Sequence, residues 1–393
     1  MSTNDRRALT AVATQFFING FVYATIIPRL PEIRDRVGIS TGGLGAALTL
    51  GSIAGLVGSL IAGGVVSRVG SRLAMAAGQS LTIVGVAVVG VATHPVVLVV
   101  GLMAVLFFDV FADVAMNMQG SVLSGRRHTP VMNRLHGLWS MATVGGGLLA
   151  TAVVAAGVSV PVHFTLVAAL LLVAQLWVWP RLLPVDEPHR DSTSERPEGE
   201  APATRPAGPG GLGAALALAL AAAAAMTMEI GAGDWAAIRL TDDLAASPEL
   251  AAAGFVAFTA GMMIGRLGGD WVQVRVGVER LVLDASIVAG VGLACATLIG
   301  NEWLVLPALL VAGLGVSVQF PQLYDAAARF PGRAGSGFTA MLLGQRLAAV
   351  LTPLLIGALA TTDALGVGDA MALVVLPAAA LSIGLSLFHL IRR

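Results

Sequence analysis

Residues 184 to 211 read PVDEPHRDSTSERPEGEAPATRPAGPGG, a stretch of Pro, Gly and alternating charge with almost nothing apolar. A segment of this kind cannot bury enough surface to offset the entropy of ordering, so it is expected to be a flexible linker. Working outward from it, apolar runs fall near 8–27, 42–66, 73–93, 96–123, 132–157 and 160–183 on one side. The other side has runs near 212–238, 249–270, 281–300, 303–327, 336–360 and 367–391. A helix crossing a hydrocarbon core of roughly 30 Å needs about 20 apolar residues, so each run is long enough for one crossing. Composition agrees, with 56% hydrophobic and 12% charged residues, against roughly 25% charged in soluble domains. The chain is therefore expected to be an all-α membrane protein of twelve transmembrane helices. Residues 1–183 and 212–393 form two six-helix bundles in this reading, joined by 184–211.

Charge narrows the function classes. The formal net charge is zero, which removes the concentrated basic surface that nucleic-acid binding needs. All 23 basic residues are Arg, and alternating the loops between two sides distributes them unevenly. Eighteen fall on one side, only Arg29, Arg34, Arg36 and Arg239 on the other, and Arg346 lies inside a predicted span. Basic residues near helix ends resist translocation, so both termini and the linker are expected to be cytoplasmic in a bacterial inner membrane. The first ten residues, MSTNDRRALT, lead into a retained first span rather than a cleaved signal, because no small-residue cleavage site follows before Pro28. Cys295 is the single cysteine, which excludes a disulfide or a cysteine-based metal site within one chain. No cofactor and no metal are expected. The partners are the bilayer, protons and a small-molecule substrate, and the chain is expected to act as a monomer.

Sliding the halves by 207 positions aligns Arg68-Val69-Gly70 with Arg275-Val276-Gly277, and Arg126 with Arg333. Parallel repeats of six helices place a binding site between the halves near the bilayer midplane. The loop AGGVVSRVGSR at 62–72, its copy GRLGGDWVQVRVG at 265–277, and the segments DVAMNMQG at 113–120, RLHGLWSMATVGGG at 134–147 and EIGAGDW at 229–235 carry a family resemblance. The chain resembles the major facilitator superfamily over essentially its whole length, and within it a bacterial branch related to fucose-permease-type transporters. The resemblance implies two six-helix bundles related by pseudo-two-fold symmetry, and secondary transport by alternating access. Ser67 stands where the family's loop signature usually has Asp, which puts a gating ion pair there in doubt; the second copy keeps Asp270 and Arg275. The helix-four Arg and helix-five Pro of drug antiporters are also missing, since helix four offers acids and helix five has Gly145, Gly146 and Gly147.

Polar residues inside the apolar runs are the candidates for chemistry, because an ionisable group in the membrane is costly unless it faces a cavity or a partner. Gln15, Asn19 and Tyr23 recur at spacing four, share one helix face and are expected to line the cavity as substrate contacts. Interhelical hydrogen bonding is the alternative for them. Asp109, Asp113 and Asn117 repeat that spacing in helix four, where a shared proton or a cation would relieve two carboxylates one turn apart. Asp109, Asp113 and Glu229 are the proton-coupling candidates, with a buried acid paired to Arg as the alternative. Asn117 and Arg346 join the substrate contacts, and Arg346 equally fits a permanent internal ion pair. Asp234 and Trp235 read as a helix cap and a headgroup anchor, and His136 as a packing residue. Arg68, Arg266, Asp270, Arg275 and Gln319 are the gating candidates, the last beside Pro321 at a bendable point of helix ten.

Two functional readings stay open: proton-coupled symport of a small polar solute, and proton-coupled efflux of a hydrophobic metabolite or drug. An enzyme is disfavoured, since H-E-x-x-H is missing and LGGD at 267–270 has Leu where intramembrane aspartyl proteases have Gly.

Overall fold

The computed structural model describes residues 3–127, 131–183, 210–330, 336–362 and 364–391. Most of the expected linker, residues 184–209, lies outside them, as does Arg333. Twelve helices among the described residues are long and apolar enough to span a membrane. In the first half they are Thr3–Ile26, Thr41–Val69, Ser71–Val91, Pro95–Arg127, Met132–Ala155 and Val160–Val178. The second half has Gly210–Gly233, Pro248–Val276, Val278–Leu298, Glu302–Val316 continued by Gln319–Ala328, Ser336–Leu359 and Val367–Ile391. They are numbered below as the first to the twelfth span.

Local chemistry sets where these helices break. After the first span, Pro28 and Pro31 lack the N–H of a continuing ladder; the chain makes a 3-10 turn at Ile27–Arg29 and a short helix Leu30–Val37. In the tenth span Pro321 would clash with the carbonyl of Ser317, and the helix restarts at Gln319. The seventh span pauses at Asp234 and Trp235 before Ala236–Asp242. Gly70 and Gly277, matched by the 207-residue repeat, take φ of 85° and 82°. Only glycine adopts that backbone without strain, so the repeated Arg-Val-Gly marks the same sharp turn in both halves.

Packing repeats as well. In the first half the second, third and fifth spans pack on the fourth, fourth and first; in the second half the eighth, ninth and eleventh pack on the tenth, tenth and seventh. Between the halves, the second span meets the eleventh and the fifth meets the eighth. Each of these contacts maps onto its partner under the exchange of halves, which is the pseudo-two-fold relation expected from the sequence. Gly51, Gly55 and Gly58 pack against the fourth span, and Gly261 and Gly265 against the tenth. These glycines close helices within one half; the seam between halves is made by Gly42, Gly45 and Gly357 instead. Large apolar side chains such as Leu60, Leu212 and Val274, at 77%, 81% and 87% exposure, face outward as a lipid-contacting surface requires.

Candidate functional site: a cleft between the two bundles

The polar stripe of the first span divides between two environments. Gln15 is fully buried and donates to Gln79 Oε1 of the third span at 2.9 Å. Asn19 is a hub: its Nδ2 donates to Asp109 Oδ1 at 2.5 Å and, at 3.4 Å, to Gln79 Oε1, while its Oδ1 accepts from Trp139 Nε1 at 2.8 Å. Four spans of the first bundle are thus tied at one amide. Gln15 therefore packs inside the bundle rather than lining the cleft, the outcome that interhelical hydrogen bonding predicts. Tyr23, one turn further, leaves the bundle and donates to Asp234 Oδ1 across the interface.

Asp113 and Asn117 continue the same helix face one and two turns beyond Asp109, outside the buried hub. Asp113 is exposed, accepts from Asn117 Nδ2 at 3.0 Å, and has the Arg346 guanidinium of the other half as its electrostatic neighbour. The Arg346 charge also acts on Asp109. Among the described residues Arg346 makes no side-chain hydrogen bond and no ion pair within 4.0 Å, and its charge acts on both carboxylates from the other half. Tyr324, 45% exposed, stands near Asp113, Arg346 and Glu229. The chain has two tyrosines, and both point to the interface between the halves.

A second pair of charges sits deeper. Glu229 and Arg266 line a pocket of about 30 Å³ together with Tyr23, Trp139, Phe255 and Met262. That volume has room for a water molecule but not for a metabolite. Glu229 Oε2 is buried without a hydrogen-bond partner, with Arg266 as the nearby opposite charge. His136, beside Arg266, packs edge-on against Phe16 with centroids 5.2 Å apart.

Beyond this pocket, at the end away from the termini, the halves are locked together. Arg34 pairs with Asp242 across the interface, and Thr41 donates to the same carboxylate at 3.2 Å. Thr49 donates to Val350 O at 3.3 Å, and Gly45 lies against the backbone of Pro353 and Gly357. One buried arginine in each half braces this end. Arg29 binds Glu32 at 2.5 Å and Val158 O at 2.8 Å. Arg239 binds Ala296 O, Ile299 O and Asp243 at 3.0, 2.9 and 2.6 Å. All four arginines on the sparsely charged side thus have structural partners, Arg36 by donating to Gly90 O at 3.3 Å. Trp235 is also corrected from the sequence reading: it is fully buried in the core and offers no ring to lipid headgroups as an anchor, and Asp234 is Tyr23's partner rather than a cap.

The gating candidates are scattered. Arg68 is exposed at the terminus end. Arg275 stacks over Trp271 at 3.5 Å and binds Trp271 O at 3.0 Å, both on its own helix. Gln319 is buried in a network inside the second bundle, donating to Ser286 Oγ at 2.9 Å. The side chain of Asp270 lies outside the described residues. Sequence reasoning missed Gln79, Trp139, Tyr324 and Asp242. The lone amide Gln79 in an apolar run and the rarity of tyrosine were available signals, whereas Asp242, at the end of the short helix Ala236–Asp242 and beyond the apolar run, gives none.

The sequence pattern described as Major Facilitator Superfamily matches residues 12–353. The chain belongs to this superfamily. Among its relatives, an uncharacterized MFS-type transporter of Yersinia pestis is 24% identical over 316 residues, covering 79% of this chain and 78% of the relative. The membrane protein MosC of Rhizobium meliloti is 26% identical over 291 residues, covering 73% and 67%. Among solved structures, a point mutant of the nucleoside transporter NupG superposes with a TM-score of 0.74 at 12% identity, covering 97% of this chain and 98% of that one. NupG itself gives 0.68 at 12% identity, with 99% of each chain covered. At such identity the likeness shows the fold. This facilitator is a multi-pass membrane transport protein.

Proposed function

We propose that this facilitator carries a small polar organic solute across the bacterial inner membrane by proton-coupled symport, with both termini cytoplasmic. The observation that carries this reading is that Asp113 of one half lies within electrostatic reach of Arg346 of the other, while the far end is closed by contacts between the halves. A carboxylate and a guanidinium that each lack an ion-pair partner can take a polar solute between them, and the carboxylate can also take a proton. Arg346, Asn117 and Tyr324 are the substrate contacts in this proposal. Asp113 carries the coupling proton, and Asp109, held by Asn19, is its neighbour one turn away. Glu229 and Arg266 form the next station, reached once the far end opens. The closed far end and exposed Asp113 correspond to an inward-facing state of an alternating-access cycle. No catalysis on the solute is part of this reading, and the single chain suffices for it.

Phe255, Phe258, Met262 and Met263 around Glu229 favour a second reading, the efflux of a hydrophobic compound, because apolar and Met-rich walls suit adaptable hydrophobic binding. Proteoliposomes separate the two. An imposed inward-acidic or inward-alkaline gradient is combined with a panel of radiolabelled polar solutes and fluorescent hydrophobic compounds. Symport requires accumulation of a polar solute with its proton; accumulation only against the proton gradient of a hydrophobic dye supports efflux. Movement of neither class under any gradient refutes the proton-coupled proposal.

A further inference from the structure

At the terminus end of the first bundle, away from the cleft, the first, third and sixth spans leave a groove of about 530 Å³. Arg7, Arg72 and Arg181 line it, with Asn4 at its edge and Leu182 and Leu183 along its floor. The three arginines come from three different spans, and among the described residues no acidic side chain lines the groove. Like charges brought together without a counter-charge repel one another and raise the local affinity for an anion. Arg72 Nε is buried and has no hydrogen-bond partner. Arg181 is held in place by its own helix, with its guanidinium 4.3 Å from the Trp177 ring centroid and one N–H donated to Trp177 O at 2.6 Å. The nearest acid in sequence, Asp5, is bonded to Arg126 at 3.0 Å.

The surroundings say what kind of anion fits. Trp177 and Trp179 are 41% and 43% exposed beside Leu176 at 76%. Amphipathic tryptophans next to an exposed aliphatic surface mark the depth of lipid headgroups. A groove at that depth meets phosphate on its polar side and acyl chain on its apolar side. Planar guanidinium forks match phosphate oxygens in pairs, which ammonium groups do not.

We infer that this groove is a binding site for the phosphate of an anionic phospholipid headgroup, taken by Arg7, Arg72 and Arg181, with the acyl chains along the Leu176 and Trp177 face. The lipid would tie together the ends of the first, third and sixth spans. It would brace the first bundle from outside the transport path, independently of which solute is carried.

The test uses purified full-length protein in neutral detergent, supplemented with phosphatidylglycerol, with phosphatidylcholine or with inorganic phosphate. Retained lipid is counted by native mass spectrometry and thermal unfolding is followed in parallel. The expected result is selective retention of phosphatidylglycerol and a raised unfolding midpoint. Arg72→Gln and Arg181→Gln should each lower retention roughly fivefold, the effect of one basic charge at an anionic surface. Arg280→Gln, an exposed arginine of the other bundle paired with Asp284, should leave retention unchanged. If Arg72→Gln does not fold, the exposed Arg7→Gln carries the same expectation. Equal retention of both lipids by the wild type, or undiminished retention in the groove variants, overturns the inference. Protection by millimolar inorganic phosphate equal to that by phosphatidylglycerol overturns the lipid as the source of the phosphate.

Discussion

Gly45→Ala should unlock the far end of this transporter. An ideal Cβ at position 45 would lie 2.5 Å from Pro353 O and 2.9 Å from Gly357 Cα. Both are backbone atoms of the eleventh span, so no side-chain rotamer can move aside. Ordinary contact begins near 3.4 Å, and the second and eleventh spans must therefore part by several tenths of an ångström. Overpacking of this kind costs about 1–3 kcal/mol. The gain in helix propensity from Gly to Ala, about 1 kcal/mol, applies in any conformer where residue 45 is helical and so cancels between states. The clash does not cancel, because Gly45 and Gly357 belong to different halves and meet only while the far end is closed. The cost therefore falls on this conformer alone and moves the equilibrium away from it by roughly 5–150-fold.

Spin labels at Ser40 and Thr362, both exposed at the far end, on a Cys295→Ala background would report the change as a longer cross-half distance by double electron–electron resonance. Gly63→Ala is the control. It lies on the same helix toward the terminus end, where an added Cβ meets nothing within 4 Å, and it should leave the distances alone. An unchanged distance distribution in Gly45→Ala, or the same shift in Gly63→Ala, would refute the reasoning.

Asp113→Asn mimics the protonated carboxyl, so it should keep substrate exchange and lose uphill transport driven by a pH gradient; uphill accumulation at wild-type rates in proteoliposomes would exclude Asp113 as the coupling site. Arg346→Ala combined with Asp113→Asn or Asp109→Asn should show non-additive effects on substrate binding, and strict additivity in that double-mutant cycle would reject charge coupling across the cleft. Arg34→Gln and Asp242→Asn remove the cross-half ion pair, with an expected coupling of about 1–3 kcal/mol and increased far-end accessibility to an impermeant thiol reagent at a cysteine placed at Ser40; no change in labelling rate would show that the pair does not hold the gate. Arg239→Met removes the donors to Ala296 O and Ile299 O and leaves Asp243 without its cation, so the unfolding midpoint in detergent should drop by the equivalent of about 3–5 kcal/mol; an unchanged midpoint would assign the brace to the rest of the packing.

The residues of the site were legible to different degrees, for identifiable reasons. A charge in an apolar run is costly wherever it lies, so Asp109, Asp113, Glu229 and Arg346 stand out from hydropathy alone. Which of them share an environment is another matter. Gln15 and Tyr23 lie two turns apart on one helix face, yet Gln15 is sealed against Gln79 while Tyr23 crosses to Asp234. Helical spacing gives a direction about the axis, but the neighbouring helix changes along its length. The same limit explains Trp235, whose amphipathic ring suits a headgroup boundary in sequence and is fully buried at a helix break in the structure.

Sequence by itself determined the twelve spans, their division into two sets of six and the repeat that relates them. Each rests on a local quantity: about 20 apolar residues per crossing, a polar segment with almost nothing apolar between the two sets, and the Arg-Val-Gly turns that recur 207 positions apart. Tertiary structure alone decided how the halves meet. It brought Asp113 toward Arg346 and Arg34 to Asp242, set Gly45 against Gly357, and left the Arg72 Nε without a hydrogen-bond partner in its groove. Those contacts join residues far apart in the chain through rigid helices, so they depend on how whole bundles dock, and no window of sequence contains that information.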